Sequence, residues 1–266
     1  MRSMHMWLVL LACRLLCASV LMASQDVPSE VAPDRPSVSN STQTVPVGAL
    51  QIELGLEYAR SSLAASPAEH RLAMQATLRA GLTDRFEVRL ESEPLVRLRQ
   101  EQDDTGPGDV ALGLKYRFFD APEGRWRPSL GIAPFVKLPV AETPIGSERT
   151  DFGVLVLASQ DLPWQLSLDV NAGLVAVGQD RPRGYLLQAL ASASVSRQIG
   201  GGLSPFAELF FASREERDGR HTLGLDAGVI YLLTRRVALD AAVETTLTGQ
   251  GPDYAFRAGF SVRLGP

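Results

Sequence analysis

Past residue 24 the sequence contains no cysteine, because Cys13 and Cys17 both lie in the first 24 residues. Disulfides, thiol catalysis and thiolate metal sites are therefore excluded for the rest of the chain. Lysine is nearly absent as well: Lys115 and Lys137 are the only two, and arginine carries the remaining positive charge, a bias that codon usage explains as easily as function. The only histidines beyond residue 24 are His70 and His221. Basic charge is not in excess; the formal net charge is −4, and removing 1–24 takes away Arg2 and Arg14 but no acid, giving −6. Such a balance offers no phosphate-binding surface for nucleic acid. No stretch after residue 24 approaches 18 uninterrupted apolar residues, so no transmembrane helix is expected there.

What is present is alternation. In Tyr254-Ala255-Phe256-Arg257-Ala258-Gly259-Phe260-Ser261-Val262-Arg263-Leu264 the large apolar residues hold one parity and Arg257, Ser261 and Arg263 the other. Side chains alternate across a pleat, so this is a strand with one apolar and one polar face. The pattern recurs over 48–59, 71–81, 86–99, 108–119, 127–140, 150–160, 164–177, 184–197, 202–213, 221–233, 236–247 and 253–264. An overall hydrophobic content of 45% fits a barrel whose lipid-facing residues are diluted one-to-one by polar ones.

Residues 1–24 read as a secretory signal peptide: Arg2, an apolar run, and Leu21-Met22-Ala23-Ser24, with cleavage after Ala23 or Ser24. Arg14 interrupts the run. A lipoprotein site at Cys13 is disfavoured because the apolar core continues through Leu21. Residues 25–46, with Pro28, Pro33, Pro36 and Pro46, cannot hold a regular ladder and are expected to form an extended N-terminal periplasmic segment. The barrel is assigned to 47–266. Pro94, Pro134 and Pro205 fall inside proposed strands and should mark bulges or strand ends.

Connector length and aromatic position separate a membrane barrel from a sandwich. Tight connectors at 83–85, 161–163, 200–201 and 234–235, with a longer one at 120–125, alternate with polar connectors at 61–69, 100–106, 141–149, 178–183, 213–220 and 248–252. Outer-membrane barrels place short turns in the periplasm and longer loops outside. On the apolar parity Phe86, Phe118, Trp164 and Tyr231 lie by the tight turns, while Tyr58, Phe152, Tyr185, Phe211, Tyr254 and Phe256 lie by the loops. Two aromatic belts at two levels are what membrane interfaces select. The expected fold is an all-β, antiparallel transmembrane barrel of about twelve strands, with both termini in the periplasm.

The opposite parity collects charges of both signs: Glu53, Glu57, Arg71, Arg79, Glu87, Arg89, Glu91, Asp109, Lys115, Arg117, Lys137, Asp151, Asp169, Glu208, Asp226 and Arg257. Glu93, Arg97, Arg99, Asp240, Glu244 and Arg263 share it. These residues would either pair across a narrow lumen or line an electrostatic channel. Phe135, Phe206 and Phe210, with Phe119, take the same parity and would pack as a plug or border an apolar path. His70 and His221 fall at the outer strand ends, where Ser61 or Ser213 could be imagined as a nucleophile. However, no Gly-x-Ser-x-Gly, His-x-Ser-Asn or His-Glu-x-x-His pattern occurs, and an enzyme is not expected. Two histidines without a Cys or an acid at ligand spacing give no metal site, and Gly200-Gly201-Gly202 opens no helix and reads as a turn. No cofactor is expected.

Several stretches resemble one family in sequence order. They are Asp34-Arg35-Pro36 with Thr44-Val45-Pro46-Val47-Gly48, Leu82-Thr83-Asp84-Arg85-Phe86-Glu87, Gly108-Asp109-Val110 with Lys115-Tyr116-Arg117, and Ile132-Ala133-Pro134-Phe135-Val136-Lys137-Leu138-Pro139 leading to Gly146. Thr150-Asp151-Phe152-Gly153 and Gln160-Asp161-Leu162-Pro163-Trp164 complete the set. Over 32–264 the chain is similar to the Gram-negative outer-membrane proteins named as transporters of the phenol meta-cleavage degradation pathway. That resemblance implies an outer-membrane barrel taking up aromatic or other hydrophobic compounds, and it supplies no catalytic residue. Such barrels commonly end on an aromatic residue, whereas this chain ends Arg263-Leu264-Gly265-Pro266.

The reading is thus an outer-membrane channel for passive uptake of small solutes, aromatic or hydrophobic ones included. A closed structural or adhesion barrel and a surface hydrolase are the alternatives. Its expected partners are outer-membrane lipid, the barrel-assembly machinery and an unidentified small solute; nucleic acid is not among them, and a monomer is expected.

Overall fold

In the computed structural model, residues 30–62, 67–121, 126–180 and 182–266 are described. The expected signal peptide lies outside them. Among the described residues the alternation becomes thirteen strands: β1 (Leu50–Ser61), β2 (Glu69–Thr83), β3 (Phe86–Arg99), β4 (Asp103–Gly106), β5 (Val110–Phe119), β6 (Ser129–Leu138), β7 (Asp151–Leu162), β8 (Leu166–Gln179), β9 (Gly184–Arg197), β10 (Leu203–Ala212), β11 (Thr222–Thr234), β12 (Val237–Gly249) and β13 (Tyr254–Leu264). β4 pairs with β3 alone, as a short flap within the loop that follows it. The other twelve form a closed antiparallel barrel in which each strand pairs with its sequence neighbours and β1 pairs with β13, from Leu50↔Leu264 to Arg60↔Tyr254. Closure leaves no unpaired edge, which is the condition for a sheet to sit in hydrocarbon.

Tight turns join β2 to β3, β7 to β8, β9 to β10 and β11 to β12 at one end, where β1 starts and β13 stops. Connector length does not alternate strictly, since the turn-end connector 120–128 is longer than the loop-end connector 180–183. The outward face is apolar and exposed, with Leu56, Leu95, Leu112, Val156, Leu187 and Leu239 among its residues. Both aromatic groups point outward at their two levels: Phe86 lies against Tyr116 by the turns, and Phe152 against Tyr185 by the loops.

The three strand prolines are handled differently. Glu93 and Pro94 together stand opposite Gln75, between the pairs Met74↔Leu95 and Ala76↔Ser92, which makes a β-bulge. Near Pro134 the β5–β6 ladder skips from Gly113↔Phe135 to Tyr116↔Ile132 and keeps its register. Pro205 pairs only with β11, because pairing of β10 with β9 begins at Phe206.

The Pro94 bulge reverses parity, and part of the expected lumen face changes with it. Val96, which the expected inward parity of Arg97 would turn outward, is 1% exposed and pairs with the buried Ala73, whereas Arg97 pairs with the outward Leu72 and Arg99 with His70. Arg97 and Arg99 therefore leave the barrel wall on the outside. Phe119 also departs from its expected parity: a register shift after Arg117 pairs it with Leu130 and leaves it exposed.

The described part of the segment ahead of β1, residues 30–46, forms no strand, and it does not hang below the barrel. Residues 30–46 enter the lumen from the turn end, where the Val31 N–H donates to the Arg235 carbonyl. They cross the interior and return by Thr44, whose hydroxyl donates to the Asp84 carbonyl.

Candidate functional site

The lumen is organised around this inserted segment. A segment with no ladder partner must satisfy its backbone amides some other way, and here inward carboxylates, hydroxyls and amides of the wall accept from them. The amides of Val38 and Ser39 donate to Glu208 at 2.7 and 2.6 Å, and the Ser39 hydroxyl makes a further short bond to the same carboxylate. The Asn40 amide donates to the Asn171 side chain, which donates back to the Asn40 carbonyl. Thr42 donates to Ser159, itself bonded to Asp169, and Val45 donates to Glu87.

Two charged residues anchor the segment. Asp34 accepts from Arg89 at 2.7 Å and Lys115 at 2.8 Å, and pairs with Arg79 at 3.3 Å. Burial alone would raise its pKa, but the charges of Arg79, Lys115 and Arg89 outweigh that and hold its carboxyl well below the usual carboxylate range. Asp34 thus stays anionic. Arg35 reaches the other way, to Gln75 at 2.5 Å and Asp240 at 3.3 Å.

Beneath Asp34 lies the most buried ion network of the wall. Arg79, 1% exposed, donates to Glu87 through two nitrogens and to Glu53 at 3.0 Å, and to the carbonyls of Ala32 and Gln43. Glu53 also accepts from the amides of Asp34 and Arg35. A second cluster joins β1, β2, β3, β11, β12 and β13: Arg257 meets Glu57 at 2.9 Å, Asp226 at 3.0 Å and Glu244, while Arg71 bridges Glu57 and Glu93. A third places Lys137 between Asp151 at 2.6 Å and Asp109 at 3.5 Å, with Asp109 also accepting from the amides of Val140 and Ala141. Glu91 is half-exposed beside Arg89, and Arg117 sits at the turn end on Asp120 and the Asp84 carbonyl.

The inward charges are not evenly distributed. On β7 to β12 they are acidic, from Asp151 and Asp169 to Glu208, Asp226, Asp240 and Glu244, whereas the inward bases sit on β2, β3, β5, β6 and β13. On the loop side of the inserted segment a cavity of about 480 Å³ remains, bordered by Arg89, Glu91, Asp109, Lys137 and Arg257 together with Asp34 and Arg35.

The three inward aromatics take up little of that space. Phe135 pairs with Gly153, Phe210 with Gly224 and Phe206 with Gly228, and a methyl group added at any of these glycines would overlap the paired ring. Each ring lies flat in the notch its glycine leaves.

Asp34 and Arg35 stand in the sequence reading only within the family-like stretch Asp34-Arg35-Pro36, not among the lumen candidates, and Ser39 does not figure there. A signal for them existed on the wall, where inward positions carry Gly55, Gly81 and Gly259. A Cβ at Gly55 would collide with the Arg35 guanidinium, and one at Gly81 with the carbonyls of Val45 and Pro46. The wall is thinned where the segment rests. Gly55→Leu should therefore weaken its seating by about 1–3 kcal/mol by displacing Arg35 without removing any charge. The expected result is a higher mean conductance in planar bilayers, and an unchanged trace would show that Arg35 does not depend on that notch.

The histidines stand apart from the lumen. His70 Nδ1 is 2.8 Å from the Tyr58 hydroxyl on the outward face, and His221 lies by Thr248 and Phe211 at the loop end.

A family model described as "Putative MetA-pathway of phenol degradation" matches residues 33–264. No curated protein matches. Among solved structures, an outer membrane channel from Pseudomonas putida F1 superposes with a TM-score of 0.69 at 14% identity, over 88% of this chain and 100% of that one. The NanC porin gives 0.55 at 12% identity, over 81% and 100%. The transport unit of the autotransporter AIDA-I from Escherichia coli gives 0.52 at 8% identity, over 95% and 97%. At such identities the likeness speaks for the fold, a closed antiparallel barrel of the outer-membrane kind.

Proposed function

The chain belongs to the family described as "Putative MetA-pathway of phenol degradation", and from that premise we propose that it is an outer-membrane channel for passive uptake of small solutes. The barrel sits as a monomer in the outer membrane of a Gram-negative bacterium. It is delivered by a cleaved signal peptide over 1–24 and inserted by the barrel-assembly machinery, with its turns in the periplasm. Its solutes are small aromatic or hydrophobic compounds, the class that the family's description points to.

The observation that carries this reading is the lumen itself. A barrel of this strand number lies between the filled eight-stranded barrels and the open sixteen-stranded porins. Here its interior is charged with both signs and keeps a polar cavity of about 480 Å³ between wall and inserted segment. A barrel built only for adhesion would have no use for such a cavity. The inserted segment makes the path narrow, so the expected flux is small and selective.

The test is reconstitution. The purified full chain should give discrete steps in planar bilayers and should let phenol-sized solutes, but not disaccharides, enter liposomes. A protein that inserts, stays folded and passes neither ions nor solutes sinks the proposal.

A further inference from the structure

The Pro94 bulge places arginines where an outer-membrane barrel ordinarily shows apolar or aromatic side chains. Three rows of cross-strand neighbours face outward at the loop end of β1 to β3. The lowest is Leu56, Met74 and Leu95; the next is Tyr58, Leu72 and Arg97; the last is Arg60, His70 and Arg99. Leu56 and Leu95 are 57% and 54% exposed, as lipid-facing residues should be. Successive rows are about 7 Å apart along a strand. The cations therefore begin one row above the hydrocarbon and end two rows above it, at the depth of lipid headgroups.

The cluster is confined to one sector. Elsewhere around this rim the outward positions hold Phe152, Tyr185, Phe211, Tyr254 and Phe256. Within the sector Arg97 is clamped by Asp103 of the β4 flap at 2.8 and 2.5 Å, and Arg60 is paired with Asp253 at 2.7 Å. Arg99 makes no ion pair among the described residues. A hollow of about 570 Å³ opens beside it, bordered by Tyr58, His70, Leu72 and Arg97. Asp103, held by Arg97, is the carboxylate whose charge reaches Arg99, but it does not pair with it. An arginine fork that no carboxylate grips, at headgroup depth beside an apolar floor, has the chemistry that binds a lipid phosphate.

We propose that this patch binds a phosphate of the phosphorylated glycolipid that makes up the outer leaflet. Arg99 takes the phosphate directly, Arg97 flanks it, and Tyr58 and Leu72 lie under the sugar and the first acyl carbons. The proposal rests on the outward face being membrane-embedded, but it is independent of whether the lumen conducts.

The test is binding of bisphosphorylated lipid A to the full chain in zwitterionic detergent micelles, read by native mass spectrometry. The wild type should bind one molecule, and Arg97→Gln with Arg99→Gln should weaken binding by about fivefold per arginine. Dephosphorylated lipid A should bind the wild type as weakly as bisphosphorylated lipid A binds the double variant. Should the double variant not fold, Arg99→Gln alone suffices, because Arg99 has no ion pair for the fold to lose. Equal binding by wild type and variant, equal binding of dephosphorylated lipid A, or full competition by millimolar inorganic phosphate overturns the proposal. Conductance, measured in parallel, should match wild type. A silent barrel that still binds the lipid refutes transport, whereas a conducting barrel indifferent to phosphate refutes only this site.

Discussion

Deleting residues 30–46 should raise single-channel conductance several-fold and admit solutes that the intact chain excludes. The segment meets the wall on nearly opposite sides, at Asp240 through Arg35 and at Ser159 through Thr42, so its removal clears the middle of the pore. The groups it leaves behind, among them Glu208, Asn171 and Lys115, exchange its amides and Asp34 for water. Wetting of that kind costs far less than leaving them unpaired in a dry interior. The emptied pore should also prefer cations, because the wall from β7 to β12 carries inward charge of one sign only. Bilayer recordings with reversal potentials in a salt gradient read both effects. Conductance equal to that of the full chain would mean that the constriction lies elsewhere.

Arg79→Ala should be the most destabilising single substitution in the wall. It removes two bonds to Glu87, one to Glu53 and the contact with Asp34; Arg89 and Lys115 still hold Asp34, but Glu53 and Glu87 lose their forked partner in a buried space. Breaking a buried charge pair typically costs about 3–5 kcal/mol, and here three acids lose one shared partner. Arg79→Lys should lose less, since it keeps the charge but not the forked geometry on Glu87. Urea-dependent folding into phospholipid vesicles provides the measurement. A midpoint for Arg79→Ala within error of wild type would show that water, rather than arginine, balances these acids.

Most of the wall was legible in the sequence, for a reason particular strands make plain. β1 and β13 keep strict period-two alternation, so parity alone places Glu53, Glu57 and Arg257 inside and Leu56, Phe256 and Phe260 outside. Parity fails where one residue is added. Pro94 announced a bulge, but carrying its consequence through to Val96, Arg97 and Arg99 meant knowing that the extra residue sits on β3 and not on its partner.

The lumen segment was illegible for a different reason. Residues 30–46 have no periodicity, because nothing repeats in the surfaces they meet: a carboxylate at Glu208, an amide at Asn171, a hydroxyl at Ser159. Proline and serine content said correctly that no ladder would form there, and nothing in the segment said where it would lie. The trace was on the other side of the contact, in Gly55, Gly81 and Gly259 on an otherwise polar face. Likewise the glycines opposite Phe135, Phe206 and Phe210 decide that those rings lie against the wall. Cross-strand register is needed to see either pattern, and a single strand does not contain it.

The pairing of β1 with β13 has a bearing on biogenesis. The lumen segment and the first strand are synthesised first, yet the residues that receive them come last: Arg35 waits for Asp240, 205 positions on, and Glu57 for Arg257, 200 positions on. Contacts of such sequence separation form late and slowly. Until the final hairpin arrives, an open sheet edge and a loose, charged leader coexist. The seam that seals the cylinder thus also completes the seat of its own inserted segment, so assembly of the wall and narrowing of the pore are one event.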